Sequence, residues 1–389
     1  NVDKIAMSLG HKKDTLIGTA TGQADLYVMV NSNPLGLGPA EEEMPILKAG
    51  TVVTSEGGGS YTTVNDVSFS DSTNEVVPAR IGTDGIPTKY AIKATGEIVS
   101  GEIVTSKLSI GSYEKFKKVK LPSSNVAEII SVVDSSGHEY YEVEYLSQDV
   151  IYRDVSNRAF ASGTGNSTSI LRPFAAPKRF ILLHEGNKAY LQFGHGDSSE
   201  LAQSSIVEPS KVALSMHAKT YSTDKSFDPS KMLSTSKFGI APSDTTLTVK
   251  HRLNSPNSNS STGAIKRIDS SGLVFKDPSS LNGGVMSEIK NSLEVSNSSP
   301  ILGYTSTPDI NETKRRAKDS FATQNRGVTK QDLEGLSYMM PAKYGSIKRC
   351  KMSTISCKRR RNLELYVLSE DDNGKLIAAT DTLKQNLKV

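Results

Sequence analysis

Two helix starts and two helix stops lie between residues 307 and 341, and they constrain the local fold more than any other feature. The first helix begins at Thr307–Asp309, because a threonine hydroxyl accepts a hydrogen bond from an early helical N–H and proline fits the first helical position. It ends at Asn325–Gly327, since asparagine and glycine tolerate the left-handed conformation that a helix stop needs. Thr329 begins a second, shorter helix, and Asp332 gives it an imperfect capping box. The pattern predicts a helix, a tight turn and a short helix.

Apolar residues recur at helical spacing in both predicted helices, and each set defines one face. These faces carry Ile310, Ala317 and Phe321 in the first helix and Leu333, Leu336 and Met340 in the second. We expect Ile310, Phe321, Leu333 and Leu336 to be core or interface positions, and Arg315, Arg316 and Arg326 to be polar contacts. Pro341 ends the second helix, and a strand is predicted from Ser346 to about Ile355.

The same stretch carries the pattern Arg326-Gly327-Val328-Thr329-Lys330-Gln331-Asp332-Leu333, preceded by Arg315-Arg316-Ala317. It resembles the R-x-V-T-x-x-D-Y segment of the baseplate J-like family, which includes wedge proteins of contractile-tailed bacteriophages. Gly327 stands where the family has a small apolar residue, and Leu333 where it has an aromatic one. Neither change breaks the helix–turn–helix prediction.

Signals elsewhere in the chain follow the order found in the same family. They are a strand at Ala24–Val30, a glycine turn leading into a strand at Ile46–Val53, the Phe193–Gly196 turn and the Leu247–Arg252 strand. In the family the last strand follows the turn closely, whereas here a Ser-, Lys- and Pro-rich stretch separates them. We interpret residues 198–245 as an insertion of surface loops and short strands, long enough to form a contact arm.

The middle of the chain is predicted to be all β. Two hairpin signals, Asp134–Gly137 and Glu185–Asn187, are flanked by runs rich in β-branched and aromatic residues. Gly96 and Gly101 are predicted turn or bulge points. The Ser- and Asn-rich run from Asn254 to Thr262 is predicted to be a loop that buries little.

The predicted fold class is α+β and β-rich: a multi-domain chain with an antiparallel β-sandwich-like middle and a small α/β C-terminal domain. The length supports this, since 389 residues are enough for more than one core. The predicted segments are 1–105, a β-rich domain; 106–197, a hairpin-rich domain; 198–303, a loop-rich insertion with some β-structure; and 304–389, the helix–turn–helix with strands. Within the last segment, a strand is predicted at Leu363–Leu368 and a final helix after Thr380.

Composition narrows the classes of partner. Trp is absent and aromatic residues make up 6% of the chain, which argues against a carbohydrate-stacking or single-strand nucleic-acid surface. A net charge of +4 implies no general attraction to nucleic acid or to an anionic membrane. No apolar run reaches the roughly 20 residues that cross a bilayer. We therefore expect neither a nucleic-acid nor a membrane partner.

Residue patterns for catalysis or metal binding are weak. No histidine pair has metal-ligand spacing with a carboxylate partner, and His195, the most site-like histidine, is predicted to be a surface residue of a turn. The glycine-rich pieces lack the third glycine and the helix of a dinucleotide loop, and neither a P-loop nor a nucleophile elbow occurs. We expect no enzyme activity, cofactor or metal, although plentiful carboxylates leave a glycosidase pair open.

The segment from Lys343 to Arg361 is the strongest electrostatic feature, with eight cations and no acid. One interpretation is a solvated hairpin. A second is a docking edge for an acidic partner, and a third is nucleic-acid binding. Lys348 and Arg349, within this segment, are included among the predicted interface residues.

The resemblance to the baseplate family also implies a function. It implies a structural subunit of a tail baseplate wedge that forms a ring around the tail tube through extended interfaces and rearranges on sheath contraction. The implied partners are other wedge subunits and further copies of this chain, including a homodimer within the wedge. The implied location is the virion tail, after assembly in the host cytoplasm. Two alternatives stay open: a β-rich tail adhesin, and a protein that binds or cleaves polysaccharide.

Overall fold

The computed structural model describes residues 2, 5, 6, 18–156, 169–185, 188–197, 238–254, 258–305, 309–324, 326–341, 344–354, 363–371 and 373–387. The chain divides into two compact units. Unit 1 comprises Asn1–Ile103, Asn125–Glu128 and Arg252–Val389, and unit 2 comprises Val104–Ser124 and Ile129–His251. Along the chain, unit 2 is therefore inserted within unit 1.

In the described part of the chain the strands are β1 (Thr21–Asn31), β2 (Pro45–Leu47), β3 (Val52–Ser55), β4 (Ser60–Thr63), β5 (Val67–Ser68), β6 (Glu75–Ile81), β7 (Pro87–Ser100), β8 (Glu102–Ile110), β9 (Lys118–Ser124), β10 (Val126–Val133), β11 (Glu139–Glu142), β12 (Val150–Ser156), β13 (Ser169–Ala175), β14 (Arg179–Glu185), β15 (Lys188–Phe193), β16 (Thr245–Leu253), β17 (Ile265–Ile268), β18 (Leu273–Phe275), β19 (Glu294–Ser296), β20 (Arg349–Thr354), β21 (Leu363–Glu370) and β22 (Leu376–Ala378). The helices are α1 (Gly283–Asn291), α2 (Ile310–Thr323), α3 (Lys330–Ser337) and α4 (Asp381–Asn386). Strands predominate and form several sheets, which confirms the α+β, β-rich class. None of these helices is long and apolar enough to cross a membrane.

The main sheet of unit 1 has the strand order β17-β3-β4-β7-β1-β19, with β6 also paired to β7. β1 pairs antiparallel with β7 along its whole length. Leu26, Val28 and Val30 are buried and Met29 is exposed, so burial alternates along this part of β1, and the strand predicted at Ala24–Val30 is confirmed. Their side chains join a core that also contains Tyr61, Phe69, Ile92 and Ile98.

Contacts between distant strands place the predicted segments 1–105 and 304–389 together in unit 1, and divide segment 198–303 between the two units. β19, from the third predicted segment, pairs with β1 from the first. α4, from the fourth segment, also packs against β1. The boundaries therefore follow long-range pairing and not the changes in composition along the chain.

A turn or bulge is predicted at both Gly96 and Gly101, but in the structure the two glycines have different roles. Gly101 has a φ of +112° and is the turn between β7 and β8. Gly96 instead lies inside the continuous strand β7, so the prediction of a turn or bulge there is wrong. A Cβ at Gly96 would come within 2.8 Å of Cγ2 of Val67, so β7 has a glycine there because the neighbouring side chain approaches closely.

The C-terminal part of unit 1 contains a sheet of order β20-β21-β22, with α2 packed on α3 and α3 on β20. Its small core is formed by Met340, Ile347, Ala379 and Leu383. α4 begins at the N-cap Thr380, whose hydroxyl accepts a hydrogen bond from the Leu383 N–H. This confirms the predicted final helix, and β21 confirms the predicted strand at Leu363–Leu368.

Polar residues of the predicted Ser- and Asn-rich loop are buried, which corrects the expectation that this run buries little. Asn254, Ser258, Asn259 and Ser260 are each less than 9% exposed. The Asn259 side chain donates to the carbonyls of Tyr304 and Glu370 at 3.2 and 2.9 Å and accepts from the Tyr304 N–H at 3.0 Å. Buried polar groups need such partners. Here the partners are main-chain groups distant in sequence, so composition alone gave the opposite prediction.

Unit 2 is built on a sheet of order β8-β16-β10-β11-β14-β15-β9, and β12 and β13 form a separate two-stranded sheet. The β10–β11 and β14–β15 hairpins confirm both hairpin predictions. β11 and β14 pair in parallel, whereas the sequence predicts an antiparallel middle. The β12–β13 ribbon lies between these two strands in the sequence. Of the predicted insertion 198–245, residues 198–237 lie outside the described residues.

His195 is buried, at 6% exposure, so the prediction of a surface histidine is wrong. Its ring stacks on Phe116 with centroids 5.4 Å apart and meets the edge of Phe238 at 5.7 Å. Both aromatic partners are distant in sequence. The neighbouring residues in the sequence therefore did not indicate that the His195 side chain is buried.

Candidate interaction surface

The N-terminus of α2 is capped by Asp309, whose carboxylate accepts a hydrogen bond from the Ile310 N–H at 2.7 Å. The predicted start at Thr307 and Pro308 lies outside the described residues. The helix ends at Gln324, which adopts the left-handed conformation with a φ of 47°. This corrects the predicted stop at Asn325–Gly327, because the left-handed residue comes before the asparagine and glycine.

The capping box predicted for α3 is confirmed in full. The Thr329 hydroxyl accepts from the Asp332 N–H at 3.1 Å, and the Asp332 carboxylate accepts from the Thr329 N–H at 2.8 Å. The main-chain bond from Thr329 holds the pKa of Asp332 below its ordinary value. The box therefore fixes the geometry of the turn between α2 and α3 at neutral pH.

Small side chains, and not the large apolar ones, form the buried face of α2. The buried residues of this helix are Thr313, Ala317, Ser320 and Thr323. On α3, Gly335 is buried, and a Cβ there would lie 3.2 Å from Cγ2 of Thr323, so the two helices pack closely through small groups. Ile310 and Phe321 are 59% and 60% exposed, which excludes the core alternative for both. Leu333 and Leu336 are half-buried.

Two of the predicted interface arginines bind one carboxylate. Glu312 accepts from Nη2 of Arg316 at 2.6 Å and from Nη1 of Arg349 at 2.8 Å. Arg316 also lies over the ring of Tyr338, 4.7 Å from its centroid. Burial raises the pKa of Glu312, but the two arginines outweigh this effect and hold the pKa below its ordinary value. The carboxylate thus joins α2 to β20.

The outer edge of β20 is covered by side chains of α3 and the residue after it. The Tyr338 hydroxyl accepts from the Cys350 N–H at 3.0 Å. The Glu334 carboxylate accepts from the Met352 N–H at 2.8 Å and pairs with Lys351 at 3.3 Å. An edge strand exposes alternate main-chain groups to pairing with other chains, and here two of those groups are occupied.

The described cations of the basic segment are therefore paired internally. Lys348 lies 2.9 Å from Glu370, and Arg349 and Lys351 pair as described above. The other five, Lys343, Lys358, Arg359, Arg360 and Arg361, lie outside the described residues. In the described part, the segment connects the sheet to the helices and does not present a row of free charges.

A second group of cations has no such partners. Lys314, Arg315 and Lys318 are exposed on α2, and none of the ion pairs among the described residues includes them. The Arg326 guanidinium donates to the side-chain oxygen of Gln324 at 3.2 Å. We define the outer face as Ile310, Lys314, Arg315, Lys318, Phe321 and Val328. Val328, which the sequence did not single out, is 76% exposed.

The sequence missed three residues that hold this surface in place: Glu312, Glu334 and Tyr338. One signal was available, since Glu312 and Arg316 are four residues apart on a helix and such pairs face each other. The contacts of Glu334 and Tyr338 with β20 had no comparable signal, because they join residues separated by a turn and a loop.

Among the described residues, no three His, Cys, Asp or Glu side chains are placed to hold a metal ion. An open polar cleft of ≈ 520 Å³ in unit 1 is lined by the carboxylates of Asp66, Asp71, Glu75 and Glu97. Hydrogen bonds from Lys48 and from Thr73 hold the pKa values of Asp66 and Asp71, respectively, below their ordinary values.

Comparison with known protein families and with curated proteins finds no match for this chain.

Proposed function

We propose that this chain is a structural subunit of a phage tail baseplate wedge and that it assembles through the outer face. The observation that carries the proposal is a difference between two groups of cations on and beside the helix–turn–helix: one group forms ion pairs within the protein and the other does not. Arg316, Arg349 and Lys351 are neutralised internally, whereas Lys314, Arg315 and Lys318 stand unpaired beside exposed Ile310 and Phe321. Large apolar groups flanked by free charge have the composition expected of a protein–protein interface.

The geometry of α2 supports this proposal. Ile310 and Phe321 are separated by three helical turns, so they lie on nearly the same stripe of the helix. Lys314 falls between them on that stripe. The Asp309 cap, the Glu312 bridge and the Thr329 capping box hold the helix in place, so a partner meets a surface that is already ordered.

Assignment to a baseplate wedge rests on the resemblance of residues 315–333 to the baseplate J-like family. The helix, turn and capped short helix expected for that segment are present, and this agreement supports the proposal. On this basis the partners are other wedge subunits and further copies of the chain, as a homodimer in the wedge and a ring around the tail tube. The proposed location is the virion tail, and the proposed role is non-enzymatic.

The polar cleft of unit 1 supports a second candidate, binding of polysaccharide. Its open shape and carboxylate lining suit hydroxyl-rich ligands. Hydrolysis would need one carboxyl group that stays protonated near neutral pH. Asp66 and Asp71 have lowered pKa values, so neither is suited to act as that acid.

Cryo-electron microscopy of virions that carry the protein tests the wedge proposal. We expect density in a ring around the tail tube, with α2 and α3 at a subunit boundary. A monomer at a fibre tip, or absence from the virion, would contradict the proposal. The matched variants are Ile310→Ser with Phe321→Ser, which should prevent incorporation, and Leu37→Ser, an 83% exposed residue outside the outer face, which should not.

A further inference from the structure

A second candidate interaction surface is the ribbon formed by β12 and β13 in unit 2. The two strands pair with each other through seven residue pairs, from Val150 opposite Ala175 to Ser156 opposite Ser169. Among the described strands they pair with no other. A two-stranded ribbon is only marginally stable in water by itself. A further strand or a covering surface would therefore stabilise it.

Large apolar side chains of the ribbon are exposed on both of its faces. Tyr152 and Leu171 are 67% and 63% exposed, and the register places them diagonally adjacent on one face. Ile170 and Val155 form a cross-strand pair on the other face and are also exposed. Such a surface in a monomer marks a site of interaction with another molecule.

The face that carries Val155 and Ile170 is positively charged at its centre. Arg153 lies directly opposite Arg172 in the register, and like charges in that position destabilise a strand pair. Arg153 is 3.4 Å from the Glu139 carboxylate and lies over the ring of Tyr141. Arg172 forms no ion pair with any described residue. A carboxylate placed beside the two arginines would offset their repulsion.

The two edges of the ribbon differ in their capacity to pair. β13 contains Pro173, which has no N–H and in sheets lies with its nitrogen facing away from the paired strand. The outer edge of β13 therefore lacks one donor. β12 contains no proline, so every residue of this strand has a main-chain donor. One of its acceptors, the Val150 carbonyl, is occupied by the Gln148 side chain at 3.0 Å. Strand addition is favoured at β12.

We propose that β12 is the docking edge for an extended segment of another protein, in which acidic and apolar residues alternate. Side chains of an added strand project alternately to the two faces. The acidic residues would contact Arg153 and Arg172, and the apolar ones would pack on Tyr152 and Leu171. A second copy of β12 is disfavoured as the occupant, because a symmetric antiparallel pair centred on Arg153 would bring two arginines together.

Binding of a seven-residue peptide of alternating valine and glutamate to the full chain tests this inference. The matched control peptide has lysine in place of glutamate. Fluorescence anisotropy should show the glutamate peptide binding at least about tenfold more tightly, with the difference shrinking as salt is added. Hydrogen exchange should slow in residues 150–156 on binding and stay unchanged in residues 169–175.

Charge reversal distinguishes strand docking from non-specific attraction. Arg172→Glu should weaken the glutamate peptide by about tenfold and strengthen the lysine peptide. Arg267→Glu, the same change at an exposed residue of unit 1, should alter neither. Equal affinity for both peptides, unchanged preference in Arg172→Glu, or protection of residues 169–175 instead of 150–156 would overturn the proposal. The outcome does not depend on whether the chain belongs to a baseplate.

Discussion

Replacing Glu312 by Gln tests how much the Glu312 carboxylate, which joins α2 to β20, contributes to stability. The substitution keeps the shape of the side chain and one hydrogen-bond acceptor but removes the charge. In the native protein this carboxylate accepts from Arg316 at 2.6 Å and from Arg349 at 2.8 Å. Both bonds join ions, so the substitution weakens both.

The magnitude follows from the exposure of the partners. A hydrogen bond to a charged group contributes about 1.5–3 kcal/mol and a neutral one about 0.5–1.5 kcal/mol. Arg316 is 9% exposed, so solvent compensates very little for the loss of its counter-charge. Arg349 is 43% exposed, and solvent reduces its share to about 0.5 kcal/mol. We expect Glu312→Gln to lower the free energy of unfolding by about 2 kcal/mol.

The effect of this substitution depends on pH in a defined direction. Burial raises the pKa of Glu312, but Arg316 and Arg349 outweigh it, and the folded-state pKa lies below the ordinary value of 4.5. A carboxylate with a lowered pKa stabilises the folded state above its unfolded-state pKa, and this stabilisation is lost as the pH falls through the folded-state pKa. The difference between the native protein and the variant should therefore be full at neutral pH and shrink below pH 4.5.

Urea denaturation followed by far-ultraviolet circular dichroism, at neutral pH and at steps into the acid range, measures this difference. Glu102→Gln is the matched control, because Glu102 is exposed and forms no ion pair with the described residues. The reasoning is refuted if Glu312→Gln is as stable as the control at neutral pH. It is also refuted if a stability difference persists unchanged in acid.

Three further substitutions test separate parts of unit 1. Gly345→Ala should lower the free energy of unfolding in urea by about 1–3 kcal/mol. The reason is that Gly345 has a φ of +92° and that a Cβ there would lie 2.8 Å from Cδ1 of Leu383. An unchanged denaturation midpoint would contradict this. Asn297→Ala should cost about 2–3 kcal/mol, measured in the same way, since it removes an acceptor for the buried Ile265 N–H and two donors. Thr329→Ala should cost about 1 kcal/mol and speed hydrogen exchange at the start of α3, whereas Thr329→Ser should retain the cap.

Several elements were predictable because their causes are local. The Thr329 capping box needs only residues three apart, and the Thr380 cap of α4 likewise. The alternation in β1 follows from the two-residue repeat of a strand, and the hairpin at Asp134–Gly137 from its turn residues. The geometry of such features is contained within a few consecutive residues.

The candidate surface was predictable only in part. The apolar positions of α2 were recognised, yet a helical pattern does not say which of two adjacent stripes faces the core. The buried stripe of α2 contains Thr313, Ala317 and Ser320, because α3 packs closely against this helix through Gly335. Ile310 was left exposed for the same reason.

By itself, the sequence determined the β-rich class, the N-terminal caps of α3 and α4, the hairpins and the periodicity of the strands, since each depends on neighbours in the chain. Only the tertiary structure decided which cations are free. Arg349 was predicted as an interface residue, but it pairs with Glu312, 37 positions away. Lys314 finds no acid among the described residues. The physical reason is that ion pairs and buried polar contacts are set by distances in space, and these exist only once separated segments have packed together.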